Sequence, residues 1–239
     1  MALRKIKLVE GEIYHLYNRG NFKHEIFHDR QDYERFKKIL FLANGTKRFK
    51  YKDLLKYEKN IYKFERGEQL VNVICYVLMP NHFHLLTSCN PVINSKASTI
   101  NKNLDNNISI YMKRVNSAYS MYYNRKYNKV GGLFESKFKS EHISDNNYFK
   151  YLFSYIHLNP VKLIQSKWRE EGIKDFHKVN VFLNNYLDSS FKDYFLSPGK
   201  SGGYDEGKIV NKQEFFNKIE KGTDLNKEIF DWLKFKTIT

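Results

Sequence analysis

Cysteine is scarce in this chain, with only Cys75 and Cys89 among 239 residues. Both fall in or beside expected strands, which argues against a disulfide framework. No cysteine or third histidine stands at a spacing usual for structural zinc. No apolar run approaches the roughly 20 residues that span a bilayer. The opening residues, Met1-Ala2-Leu3-Arg4-Lys5-Ile6-Lys7, lack the apolar segment of a signal peptide, so a cytoplasmic location is expected. Acidic residues are also few: 26 against 41 Lys plus Arg, a net charge of +15 with a pI near 9.5. That excess favours a polyanionic partner, nucleic acid ahead of an anionic membrane. Aromatics are plentiful, with 19 Phe and 18 Tyr, and a 41% hydrophobic content is ample for a core. Tyrosine packs, stacks on bases or attacks phosphorus, so its abundance alone decides nothing.

The length suits one domain with attachments or two small ones. Glu12 to Asn18 alternates like a strand and ends at Arg19-Gly20-Asn21. Asp29 or Asp32 is placed to cap a helix to about Ala43, with Phe36, Ile39, Leu40 and Leu42 as its apolar stripe. Residues 46–69 read as a charged insertion, a short helix or lid carrying Leu54, Leu55, Tyr57, Ile61 and Tyr62. Val71 to Met79 is a nearly continuous apolar strand, as in the buried centre of a sheet. Pro80-Asn81 suits a tight turn into a return strand, His82 to Ser88. A long helix is expected between Ser95 and Lys126, broken by Gly131-Gly132. A strand from Phe134 to Ile143 follows, then a helix capped by Asp145 and stopped by Pro160. This order, β-α-β-β-α-β-α, predicts an α+β fold: a ferredoxin-like antiparallel sheet with helices on one face. Residues 1–168 then form the main domain. Residues 169–239 form a C-terminal helical extension containing a linker, Ser197 to Gly203.

Two stretches carry chemistry. His82 and His84 are separated by one residue at a strand start, so they share a face while Phe83 takes the other. Two imidazoles about 6.5–7 Å apart along a strand suit one metal ion. The second stretch, Tyr148 to Pro160, is helical by spacing and sets Tyr148, Tyr151, Tyr155 and Asn159 on one side. An ordinary amphipathic helix accounts for the same spacing. Lys113, Arg114, Arg125, Lys126, Lys137 and Lys139 lie in the densest basic region, interleaved with tyrosines. Positive charge beside stacking surfaces suits single-stranded or hairpin DNA, and a solvated helix face is the alternative.

Three separated segments together resemble the single-tyrosine HUH transposases, closest to the REP-associated tyrosine transposases. They are Tyr14-His15-Leu16-Tyr17-Asn18-Arg19-Gly20, Leu78-Met79-Pro80-Asn81-His82-Phe83-His84-Leu85-Leu86 and Tyr155-Ile156-His157-Leu158-Asn159-Pro160-Val161-Lys162. The resemblance spans roughly residues 10–165. It implies that His82 and His84 bind a divalent metal, Mg²⁺ or Mn²⁺, that Asn159 completes the site, and that Tyr155 is the nucleophile. The implied activity is metal-dependent cleavage of single-stranded DNA and strand transfer through a 5′-phosphotyrosine, as in DNA transposition, in a prokaryotic, nucleoid-associated setting. Relatives include monomers and homodimers, and both states stay open here. Tyr111, Tyr119, Tyr122, Tyr123 and Tyr127 are rival nucleophiles on the long helix, and His15 is a further histidine able to approach the site. Two other functions stay open: a domesticated, non-catalytic hairpin-binding protein, and a metal-independent ribonuclease using His82 and His84 as acid and base.

Overall fold

In the computed structural model, residues 8–48, 50, 52, 56, 60–90, 107–195 and 205–231 are described. Strand β1 (Ile13–Arg19) leads to helix α1 (Arg30–Ala43), whose N-cap is Asp29; its side chain accepts from the Asp32 amide. Strands β2 (Val71–Met79) and β3 (His82–Cys89) follow as a hairpin turning at Pro80-Asn81. Helix α2 (Asn107–Lys126), strand β4 (Lys139–Ile143) and helix α3 (Asn146–Leu158) complete the order. Asp145 caps α3, accepting from the Tyr148 amide at 2.8 Å. The four strands run β2-β3-β1-β4, every pair antiparallel. The start of the expected long helix (Ile100, Leu104) lies outside the described residues. So do Leu54, Leu55 and Tyr57 of the insertion, the 197–203 linker and the tail beyond 231.

The chain departs from expectation in covering both faces of the sheet. Tyr14, Leu16, Tyr76, Leu78, Phe83 and Leu85 pack one face against α1 and α2. Ile13, Cys75, Val77, Met79 and Leu86 pack the other against Phe149, Leu152 and Ile156 of α3. The helix after the last strand therefore crosses to the face left open by the first two. A register shift between Val73 and Cys75 helps, because it sends Ile74 and Cys75 to the α3 side together. The last strand is also shorter than its pattern suggested. Phe134 makes only an isolated bridge with Gly20, and regular pairing begins at Lys139.

The insertion contributes to the core through Ile61 and Tyr62, the latter edge-on to Phe41. The segment beyond residue 168 holds short helices α4 (Trp168–Glu171), α5 (Phe176–Asn185), α6 (Phe191–Phe195), α7 (Lys212–Phe216) and α8 (Leu225–Asp231). It lines the outer edge of β2 and supplies that edge with partners. Leu78 N–H donates to Asp188 O (2.8 Å), Ser190 N–H to Tyr76 O (3.0 Å) and Asn211 N–H to Val73 O (2.7 Å). The Tyr186 and Tyr194 hydroxyls donate to the Leu78 and Ile74 carbonyls. An otherwise open sheet edge is thereby closed. No helix among the described residues is long and apolar enough to cross a membrane.

Candidate active site

Strand alternation puts His15, Tyr17 and Arg19 of β1 on the face that carries His82 and His84 of β3, with Tyr17 opposite His84 and Arg19 opposite His82. β4 adds Lys139 and Glu141, opposite Tyr17 and His15. Helix α3 crosses above, and Tyr155 and Asn159 descend from it one turn apart. Of these, Tyr17, Arg19, His82, His84, Lys139, Tyr155 and Asn159 line one cleft of about 330 Å³ together with Lys162, Trp168 and Arg169. The turn after β1 requires Gly20, since a Cβ there would sit 2.2 Å from the His24 carbonyl oxygen. That turn docks on the hairpin through Gly20 N–H to Asn81 O at 2.9 Å.

The two histidines meet edge to face, with ring centroids 5.1 Å apart. Tyr155 meets His84 edge-on at 5.8 Å. Nδ1 of His82 lies 2.6 Å from the Asn81 side-chain oxygen, which only accepts, so Nδ1 carries the proton and Nε2 is bare. Burial, with Arg19 and Lys162 nearby, holds the His82 pKa down at about 4. Burial also drives His84 well below the usual histidine range, helped by His15 and His82. Both rings are thus neutral at neutral pH, the form in which imidazole binds metal.

The Asn159 amide interacts with both the His82 ring and the Tyr155 hydroxyl. Its buried Oδ1, however, meets no donor with hydrogen-bond geometry. An orphaned buried oxygen beside two neutral imidazoles is a donor set that a weakly held divalent cation would use, completed by water or phosphate oxygens. Among the described residues, no cluster of three or more His, Cys, Asp or Glu side chains offers a metal site. Two imidazoles and one neutral amide fall short of the closed four-ligand set of structural zinc and leave coordination positions open.

Burial raises the Tyr155 pKa, while Arg169 and the Asn159 hydrogen bond pull it back. The Arg169 guanidinium carbon stands 5.0 Å from the Tyr155 ring centre. Tyr17, buried and hydrogen-bonded to Glu141, is pushed up to about 12 and stays protonated. Glu141 is held at about 2, chiefly by His15 and also by Tyr17.

Of the rival tyrosines, Tyr111, Tyr119, Tyr122 and Tyr123 stand on α2, across the sheet, and Tyr127 falls in the turn just past its end rather than on the helix. Tyr111 and Tyr119 donate to the Leu40 and Ile26 carbonyls, and Tyr122 and Tyr127 donate to Asp32. Tyr123 pairs with His28 at 2.8 Å. None of them lines the cleft.

The basic residues divide. Lys139 lines the cleft, its Nζ 5.9 Å above the Tyr17 ring, and Lys137 is exposed just before it. Lys113 and Arg125 are exposed on α2. Arg114 is half-buried and donates to Gly45 O at 2.5 Å. Lys126 is held by Asp29 and Asp32 at 2.7 Å each. The cleft's other cations, Arg19, Lys162 and Arg169, were not singled out from the sequence. Arg19 and Lys162 sit inside the two motif segments, and opposite-strand register would have flagged Arg19 and Glu141. Arg169 carried no such signal.

No protein-family model and no curated protein matches the chain. Among solved structures, the chain is similar to a REP-associated tyrosine transposase bound to a REP hairpin, at 10% identity and a TM-score of 0.46, over 81% of this chain and 84% of that one.

Proposed function

We propose that the chain is a metal-dependent DNA strand transferase that cuts single-stranded DNA beside a hairpin, with Tyr155 as nucleophile. The observation that carries this reading is the meeting of the Tyr155 hydroxyl, His82, His84 and the orphaned Asn159 oxygen in one cation-lined cleft. The Tyr155 oxygen attacks phosphorus and the bond to the 3′ oxygen breaks. The 5′ end is left on the enzyme as phosphotyrosine, and the proton lost by the phenol is balanced by protonation of the departing 3′-OH. Attack by an incoming 3′-OH reverses the step, rejoins a strand and restores the phenol, so bond energy is conserved without ATP.

His82, His84 and Asn159 would hold the cation. When bound, Mg²⁺ or Mn²⁺ polarises the scissile phosphate and offsets its developing charge. The protein's own part is to orient and to balance charge. Arg169 and the Asn159 amide both favour the ionised form of the phenol. Arg19, Lys139 and Lys162 line the path a phosphate backbone would take. Incubation with a hairpin bearing a single-stranded flank and Mn²⁺ tests the reading. A covalent protein–DNA adduct supports it, whereas tight hairpin binding without cleavage points to a non-catalytic binding protein.

A further inference from the structure

At the polar end of the sheet, His84 is continued into a row by His15 and Glu141, two side chains that strand transfer leaves without a role. His15 Nε2 lies 2.8 Å from His84 Nδ1, with both rings nearly buried and stacked at 20°. On its far side, His15 Nδ1 lies 3.6 Å from Glu141 Oε2. That Nδ1 is buried and has no partner at hydrogen-bond distance, so the carboxylate is the acceptor it faces. Glu141 is oriented in turn by Tyr17, whose hydroxyl donates to Oε1 at 2.8 Å. Its side chain is partly exposed, and Oε2 also accepts from the Tyr148 hydroxyl at 3.4 Å.

The row admits two arrangements of protons. In one, His84 Nδ1–H donates to His15 Nε2, and His15 Nδ1–H points at Glu141. In the other, His15 Nε2–H donates to His84 Nδ1, which puts the His84 proton on Nε2. A carboxylate accepts and cannot donate, so Glu141 selects the first. Only that arrangement leaves a bare nitrogen on His84 for a cation, because the second covers Nε2 with hydrogen. Carboxylates that fix a metal-binding histidine through its other nitrogen act in this way, and their removal typically weakens metal binding about 10–100-fold.

We propose that Glu141 and His15 are positioning residues that set the His84 tautomer, keeping its Nε2 unprotonated for the divalent cation. This rests on the cation role given to His84 above. Imidazole ¹⁵N NMR on the metal-free protein reads the tautomers directly, whether or not the protein cuts DNA. The expected wild-type pattern is Nδ1–H on both His15 and His84. In Glu141→Gln the side-chain oxygen still accepts from Tyr17, while the new amide donates to His15 Nδ1. The row should then reverse to Nε2–H on both rings, and Mn²⁺ affinity, followed by EPR with the metal alone, should fall about 10–100-fold. Glu141→Ala should weaken Mn²⁺ binding too. Thermal melting confirms that both variants fold, as expected for a partly exposed position.

An Nε2–H His84 in the wild type overturns the proposal. Unchanged tautomers and Mn²⁺ affinity in Glu141→Gln also overturn it. Expected tautomers that reverse in Glu141→Gln, in a protein that forms no DNA adduct, support the positioning role and remove the strand-transfer reading alone.

Discussion

The Arg169 guanidinium stands over the ring of Tyr155, 5.0 Å from its centre. The arginine comes from the short helix that follows the motif-bearing segment, and it opposes the effect of burial on the phenol. Loss of the cation in Arg169→Ala should raise the Tyr155 pKa. The rise of cleavage rate with pH should therefore move to higher pH, and the rate near pH 7 should fall several-fold. A cation over an exposed ring is worth about 0.5–1 kcal/mol, which sets that size. Single-turnover cleavage across pH checks it, and an unchanged profile would remove Arg169 from the chemistry.

The division of the basic residues gives a second expectation. Lys139→Ala and Lys162→Ala should weaken binding of a single-stranded oligonucleotide and lower the salt dependence by about one counterion each. Lys126→Ala should leave DNA binding nearly unchanged, because Lys126 is occupied by Asp29 and Asp32. Its cost falls on folding, where the fully buried Asp32 loses a charged partner, about 1–3 kcal/mol. Titration at several salt concentrations beside a denaturant melt separates the two effects.

His157 is fully buried away from the cleft, 2.8 Å from Ser190 Oγ, and burial holds its pKa at about 3. Unfolded histidine titrates near 6.5, so the unfolded chain binds a proton that the native chain refuses. The associated stability is complete above pH 6.5 and is lost as pH falls from there toward 3. His157→Gln keeps a partner for Ser190 and removes this titration. Its stability should decline less steeply over that window, as read by urea unfolding at a series of pH values.

Phe22 sits at φ 52°, ψ 26° on the turn after β1 and is 83% exposed. A side chain in the left-handed region costs about 1–2 kcal/mol, partly offset by the extra chain entropy a glycine loses on folding. Phe22→Gly should therefore stabilise the fold by about 0.5–1 kcal/mol. Chemical denaturation measures it, and a destabilised variant would show that Phe22 packs in solution.

Much of the site was legible because its signals are local. Asp145 caps α3, Pro80-Asn81 turns the hairpin, and one-residue spacing puts His82 and His84 on one face. What escaped depends on pairing over long separations. The meeting of Glu141 with His15 follows from β1–β4 register, which no local pattern announces. The closure of the β2 edge by Asp188, Ser190 and Asn211 uses backbone groups, which leave no side-chain pattern to read. The crossing of α3 to the second face shows in the sequence only as an amphipathic stripe, equally suited to either side. The lysines of α2 looked alike in the sequence, and the acidic partners on α1 single out Lys126.

The most direct test of the central claim is covalent capture. The wild-type protein, incubated with Mn²⁺ and a hairpin oligonucleotide labelled on the 3′ side of the cleaved bond, should yield a denaturant-resistant adduct. Peptide mapping should place that adduct on Tyr155, and Tyr155→Phe should abolish it while retaining oligonucleotide binding. An adduct of undiminished yield in Tyr155→Phe, or one mapped to a tyrosine of α2, would contradict the account.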